Sequence, residues 1–403
     1  MSQKTNLQTF TPQVVQTRYN VNIPYFLLLA TVFSFLISLF LLQLFLALLS
    51  ILWLFEHWKD KKSTFNQIFY VVVLFGITRI ISIIFSAYPA ESASAIPKEI
   101  LFYLGFFSMS FYLRVFDDQK FFRVIFVFTI SAVIVAFIGF LQFNLNIVER
   151  AQSFTSGYST FSSYLLSSLG LYLILAEFIK RRSGYYFWII GIIIILSGIA
   201  TSLGRANLFF ALIIILMFMI IKRTKAGYVI IAIILASGIS YISFLNNSSE
   251  VSNRIEAPAQ LADRDIILEG AKQIYKEHPV VGFGPRTFHQ IFPFPERFAD
   301  KGIGSWHNDF VQIYFESGVL GEAGFLLLLF VPFITGVKLL KVIVEKKKNS
   351  VILGILLAIA GLVLSALFAG FIDSPVLAPL FAFLISVISR ESGEIKKVSI
   401  QKV

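Results

Sequence analysis

Cysteine is absent from the 403 residues. That excludes disulfides and thiolate metal sites. Charge is scarce as well: Asp, Glu, Lys and Arg together make up 14% of the chain, against roughly 25% in soluble domains. Histidine occurs four times, without clustering, so no His-rich metal site is expected. No internal repeat or low-complexity stretch interrupts the chain. A secretory signal pattern is missing too. Residues 1–22 are polar, and the first apolar run is too long for the apolar core of a signal.

What the chain has is apolar length. Hydrophobic residues make up 57% of it, and mean hydropathy is +0.80. Apolar segments fall at 24–39, 41–55, 66–85, 99–113, 121–143, 158–179, 185–202, 205–221, 227–245, 318–340, 351–369 and 371–389. Many approach the roughly 20 residues that cross a bilayer as a helix. The expectation is an all-α polytopic membrane protein of about twelve transmembrane helices. The first pair is the ambiguous one, since Pro24 to Phe55 is a single apolar run of 32 residues. Read as one span, it would invert every later segment.

The polar intervals sort by charge. The N-tail, the loops near 59–62, 114–123, 180–182, 222–225 and 338–348, and the C-tail take most of the 34 Lys and Arg residues. The short intervals between them hold only Lys98, Arg150 and Arg205. Basic residues concentrate in cytoplasmic loops, so both termini are expected in the cytoplasm and Asn246–Trp306 outside. The same rule accounts for the formal charge of +11 without a nucleic-acid partner. The expected organisation is transmembrane helices 1–9 over 1–245 and a periplasmic loop with short helices over 246–306. A re-entry helix and helices 10–12 then occupy 307–389, followed by a cytoplasmic tail, 390–403.

Arg205 can be placed by arithmetic. Arg182 and Lys222, both on the basic side, are 40 residues apart. Two crossings of about 30 Å at 1.5 Å per residue need roughly that many, so the turn falls at Thr201–Arg205 and Arg205 opens the next span at the outer surface. Two readings remain: a snorkelling interfacial arginine, or an anion contact beside a helix N-terminus.

The interval Asn246–Gly321 is the one long polar stretch and holds most of the reactive groups. Asp263 can cap a helix whose apolar positions are Ile267, Ala271, Ile274 and Tyr275. His278-Pro279 stops that helix and Gly282-Phe283-Gly284-Pro285 turns the chain. A second short helix starts at His307 or Asn308, runs to Phe315, and is broken by Ser317-Gly318. The loop is expected to be a helical cap on the membrane part rather than an independent domain.

His307, in Trp306-His307-Asn308-Asp309, is either structural or a proton acceptor near neutral pH; Asp309, in the same turn, is the next candidate for that role. Arg264 is either a surface charge paired with Asp263 or Asp265, or a site residue. Asp263 and Asp265 also fit a two-aspartate metal pattern, although acids in a first helical turn are expected from the macrodipole. Gly282 and Gly284 make no nucleotide fingerprint, because no strand precedes them. His278, His289, Arg286, Arg297 and Asn308 are possible site neighbours. Arg79, within the third span, faces a cavity or partner or snorkels outward.

Three motifs in order give the chain a resemblance to the O-antigen ligase and Wzy-type polymerase superfamily of bacterial membrane glycosyltransferases. Ser202-Leu203-Gly204-Arg205 at a span start resembles its first arginine motif. Arg264-Asp265-Ile266-Ile267-Leu268 matches R-x-x-x-L and is followed by His278-Pro279-x-x-Gly282-x-Gly284. His307-Asn308 with Gly318-x-x-Gly321 matches H-N-x9-G-x-x-G. The resemblance covers nearly the whole chain. It implies a GT-C-like fold, a glycan donor on undecaprenyl diphosphate, a lipid A–core acceptor, inversion at the anomeric carbon, and no metal or cofactor. It casts Arg205 and Arg264 as diphosphate contacts and His307 as general base, on the periplasmic face of the inner membrane. A Wzy-like polymerase is the first rival reading, and a transporter, with its charges at mid-bilayer, the second.

Overall fold

The computed structural model describes residues 22–154, 156–223, 226–246, 264–297 and 304–400. All regular structure among them is helical. The long helices are α1 (Asn22–Ser34), α2 (Leu39–Phe55), α3 (Gln67–Ile84), α4 (Ile96–Val115), α5 (Asp118–Asn144), α6 (Tyr158–Leu173), α7 (Arg182–Thr201), α8 (Arg205–Ile221) and α9 (Ala226–Asn246). They continue after the polar interval, which carries α10 (Arg264–Ile274), with α11 (Asp309–Val342), α12 (Lys346–Ala366) and α13 (Leu377–Ile400).

Each apolar segment read from the sequence holds one of these helices. By length and apolarity, seven of the described helices can cross a membrane, or eight if α2 and the sharply bent turn after it count as one. The helices α1 and α8 are shorter apolar helices. The ambiguous first run is two helices. The chain breaks at Leu36, which takes a left-handed φ of 57°, and Ser38 caps α2 by accepting from the Leu41 amide at 3.3 Å.

The centre of the bundle is α6. From Phe161 to Leu173 every side chain is buried, and the surrounding helices α7, α8 and α12 pack on it. Small hydroxyl residues make that packing close. Ser167 Oγ donates to the Ala358 carbonyl at 3.0 Å and Ser163 Oγ meets Ser365 Oγ at 2.5 Å. Small residues let backbones approach where lipid offers no hydrophobic drive between helices. The buried face of α13 packs mainly on α4, with Ser110 Oγ donating to Ser386 Oγ at 3.1 Å.

The structure adjusts the expected C-terminal tail. The basic residue Arg390 ends the apolar segment but not the helix, which runs on to Ile400. Arg390 is 2% exposed. It donates to the Leu113 carbonyl at 2.8 Å, pairs with Asp118 at 2.7 Å, and also pairs with Glu391. Its charge is tolerated in the packed helix because it is matched there.

The polar interval forms a small cap with its own apolar cluster: Ile267 and Ile274 of α10, with Phe283, Phe288, Ile291, Phe292 and Trp306. Phe315 of α11 completes the cluster and Trp306 stacks on it at 4.2 Å. This cluster reaches the first turns of α11 but is separate from the larger core of the bundle. Ala271 is only partly buried, and Gly270 takes the inner position beside the Phe292 ring. Tyr275 lies past the helix end and is exposed, contrary to its assignment to the apolar face. Asp263, the expected cap residue, lies outside the described residues.

Candidate functional site

Two glycines allow the bend in α11 and the close approach of the cap to it. Gly318 has φ 61° and ψ −164° inside α11, a region open essentially to glycine alone. A Cβ on Gly318 would come within 2.3 Å of the Val280 backbone, and one on Gly282 (φ 72°) within 2.4 Å of the Glu316 backbone. The two segments are laced together. The Phe283 amide donates to the Phe315 carbonyl at 2.8 Å, Gly284 to Glu316 at 3.0 Å, and Val319 to Pro279 at 2.8 Å. The glycine motifs are thus a backbone clasp holding the cap on the kinked helix. The expected break at Ser317-Gly318 stands where the sequence puts it.

The turn from α7 to α8 also falls as counted. The helix α7 ends at Thr201, Leu203 takes φ 56°, and Arg205 is the first residue of α8, exposed. A neighbouring loop braces this turn. The Ala151 amide donates to the Thr201 carbonyl at 3.0 Å and Arg150 Nε to the Ser202 carbonyl at 3.0 Å. The Arg150 guanidinium lies over the Tyr158 ring. Asn207, in the first turn of α8, donates to Ser162 Oγ of α6 at 2.7 Å.

Arg264 opens α10 and reaches the loop between α12 and α13. Its Nη2 donates to the Phe368 carbonyl at 2.7 Å, and its guanidinium lies 5.3 Å from the Phe368 ring centroid. Burial lowers its pKa; Tyr158 opposes that shift and Arg205 adds to it. Arg205, Tyr158 and Arg264 therefore share one electrostatic neighbourhood, although Arg264 lies 59 residues beyond Arg205 in the chain. His307 belongs to it as well. Burial lowers the imidazole pKa from its ordinary 6.5, and the Arg264 charge lowers it further. Both effects favour the neutral ring, which is the form that accepts a proton.

His307 does not cap α11. Asn308 does, accepting from the Phe310 and Val311 amides at 2.9 and 3.2 Å. Asn308 also donates to the Leu367 carbonyl at 3.2 Å. His307 precedes it at φ 51°, a conformation uncommon outside glycine. Leu203 and Arg286, at φ 56° and 62°, share it.

Arg79 belongs to a second polar set. It is 2% exposed and meets three carboxylates: Glu99 at 2.5 Å, Glu316 at 2.8 Å and Asp373 at 3.8 Å. It also donates to Ser317 Oγ at 3.0 Å. Of the two readings of Arg79, the partnered one stands and the snorkelling one falls. Glu316 ties this set to the cap by accepting from the Arg286 amide at 3.0 Å. The Arg286 side chain lines a small cavity with Lys98, Glu99 and Asp373. Asp309 is fully buried, and its Oδ2 accepts from the Phe371 and Ile372 amides at 2.7 and 3.3 Å. It anchors the α12–α13 loop and is sealed from solvent, so it is poorly placed to serve as a base in place of His307.

The remaining candidates lie elsewhere. His278 and His289 are exposed, the first against Phe283 and the second beside Gly304. Arg297 pairs with Glu269 at 2.9 Å on the cap surface, and Asp265 is exposed in the first turn of α10. Asp263, its suggested partner for a metal, is outside the described residues. Among the described residues no group of three or more His, Asp or Glu has a metal-holding arrangement.

Sequence reasoning missed the α12–α13 loop, where Arg264, Asn308 and Asp309 all attach, and missed Glu99, Glu316 and Asp373 around Arg79. One signal was available for Asp373: it is the only charged residue between Ser350 and Arg390.

These elements define a polytopic helical membrane protein with two arginines and a histidine in one electrostatic neighbourhood where a helical cap meets the bundle. Residues 185–326 match the O-antigen ligase family. The match runs from α7 into α11 and contains Arg205, Arg264 and His307. No curated protein matches the chain.

Proposed function

We propose that this protein is an O-antigen ligase-like glycosyltransferase. It moves a glycan from undecaprenyl diphosphate to a sugar hydroxyl of lipid A–core, at the periplasmic face of the bacterial inner membrane. The chain crosses that membrane about twelve times in a GT-C-like arrangement, with both termini in the cytoplasm. The observation that carries this reading is the shared neighbourhood of Arg205, Arg264 and His307, drawn from a span start, a cap helix and the re-entry segment.

The chemistry needs these types of group. The acceptor oxygen attacks the anomeric carbon from the face opposite the diphosphate, inverting it. The bond from that carbon to the diphosphate oxygen breaks, and its electron pair leaves on the diphosphate. Charge grows on the leaving group, so fixed guanidinium groups stabilise the transition state more than the ground state. Arg205 and Arg264 supply two, with a planar fork suited to phosphate oxygens. The acceptor's proton passes to the neutral His307 ring. No metal or cofactor takes part in this scheme.

The test is a transfer assay with purified protein and lipid-linked donor, offering lipid A–core and a second lipid-linked repeat as separate acceptors, with and without excess EDTA. Transfer to lipid A–core that survives EDTA is expected. Elongation of the lipid-linked repeat alone would make the protein a Wzy-like polymerase, and transport without any bond formed would remove it from the transferases.

A further inference from the structure

At the end of the bundle opposite the arginine–histidine site, a groove of about 920 Å³ opens between α5, α7 and the 3-10 turn that continues α6. Its walls are apolar: Phe122, Phe126, Ile130, Leu175, Phe187 and Trp188 among them. Trp188 is nearly buried and its indole N–H donates to the Tyr172 carbonyl at 3.1 Å, so the wall there is preformed. Phe126, Ile130 and Phe187 are exposed, which opens the groove sideways, toward lipid in a membrane.

Two dimensions identify what fits. Asp118 at the mouth and Ile130 at the far end both lie on α5. Twelve residues of helix span about 18 Å, and one leaflet of hydrocarbon is about 15 Å deep. The groove therefore has the depth of one leaflet.

The second dimension is charge. The mouth carries Asp118, Gln119, Arg123, Glu345 and Lys347. The two acids are already matched: Asp118 binds Lys348 at 3.0 Å and Arg390 at 2.7 Å, and Glu345 lies 3.9 Å from Lys348. Arg123 and Lys347 are exposed and form no ion pair among the described residues. An apolar slot one leaflet deep, with two available cations at its lip, matches an acyl chain below an anionic headgroup.

We propose that this groove is a binding site for an anionic phospholipid of the adjoining leaflet. One chain lies along α5 against Trp188, and the phosphate sits between Arg123 and Lys347. The site is separate from the transfer site and does not depend on the reaction proposed for it.

The test is native mass spectrometry of the full chain in detergent, titrated with phosphatidylglycerol or phosphatidylethanolamine of identical acyl chains. One phosphatidylglycerol is expected to bind more tightly than phosphatidylethanolamine. Juxtamembrane cations each contribute on the order of a few-fold in binding, so the double variant Arg123→Gln/Lys347→Gln is expected to lose about 30-fold in phosphatidylglycerol affinity. Its phosphatidylethanolamine binding should change little. Leu175→Trp, which fills the slot, is expected to weaken both lipids. If that variant fails to fold, the surface pair still decides. Equal binding of the two lipids, wild-type phosphatidylglycerol affinity in the double variant, or displacement of phosphatidylglycerol by equimolar polyprenyl phosphate would each overturn the assignment.

Discussion

At the scale of single residues, the protein uses arginine in two opposite ways. Arg79 is buried among Glu99, Glu316 and Asp373, where it holds α3, α4, α11 and the α12–α13 loop to one another. Removing one member of a buried ion pair costs about 3–5 kcal/mol, because the partners stay buried without it. Arg79→Ala is therefore expected to lower the thermal stability of the detergent-solubilised protein sharply and to reduce its yield in the membrane. Arg205 is exposed at a helix start, and Arg205→Ala should leave stability nearly unchanged. Transfer should fall instead, in that variant and in Arg264→Ala. A lost charge-assisted phosphate contact is worth roughly 2–4 kcal/mol, or about 30- to 1000-fold. Lysine should rescue poorly because it lacks the fork. Wild-type transfer in either alanine variant would take that arginine out of the site.

His307 is testable by chemistry and by pH. Since Asn308 caps α11, a capping role for His307 does not explain its place. His307→Asn keeps a polar side chain suited to the left-handed backbone but cannot accept the proton, and it is expected to lose about 10²–10⁴-fold in kcat. The sign of the pH effect follows from burial and from Arg264, both of which lower the imidazole pKa. The ring must be neutral to act, so the acid limb of the kcat profile should have its midpoint below the ordinary 6.5. A midpoint above that value, or near-normal turnover in His307→Asn with an unchanged profile, would assign the base elsewhere.

At the scale of elements, the kink in α11 matters most. Its first two turns carry Asp309, Gln312 and Glu316 toward the α12–α13 loop and Arg79, while the rest packs along α3. Gly318 makes the change of direction possible. In Gly318→Ala the side chain meets both a disfavoured φ and the Val280 backbone at 2.3 Å, costing at least about 2 kcal/mol. A lowered melting temperature and easier proteolysis of the cap are the expected outcomes, with Gly227→Ala, where a Cβ meets nothing within 4 Å, as the control. Equal melting temperatures would show that the clasp between 279–284 and 315–320 does not hold the cap.

At the scale of the whole molecule, the cap and the basic loops face opposite ends of the bundle. Among the described residues, Lys222, Lys346, Lys348 and Arg390 gather with Glu177 and Asp118 at one end, and the arginine–histidine site lies at the other. The absence of native cysteine makes the orientation easy to measure. Glu277→Cys on the cap and Lys346→Cys at the start of α12 are both exposed positions. On intact spheroplasts an impermeant thiol reagent should label the first and spare the second until the membrane is opened. Equal labelling would contradict cytoplasmic termini and an outward-facing site.

Composition, apolar spacing and charge asymmetry were enough for the helical membrane class and the helix positions. They also located the turn before Arg205 and the break at Gly318, because each depends on local propensity or on chain length counted along the sequence. The three motifs pointed to the family whose match covers residues 185–326 for the same reason: each is read along a short stretch of chain. What tertiary structure decided is which distant residues meet. Arg264 and Asn308 find their partners in the carbonyls of Phe368 and Leu367, and Asp309 binds amides more than sixty residues away. Such backbone contacts leave no residue signature. Arg79 could be read as a charge needing a partner, but its carboxylates come from three separate segments, and only the packing of α3, α4, α11 and the α12–α13 loop brings them together.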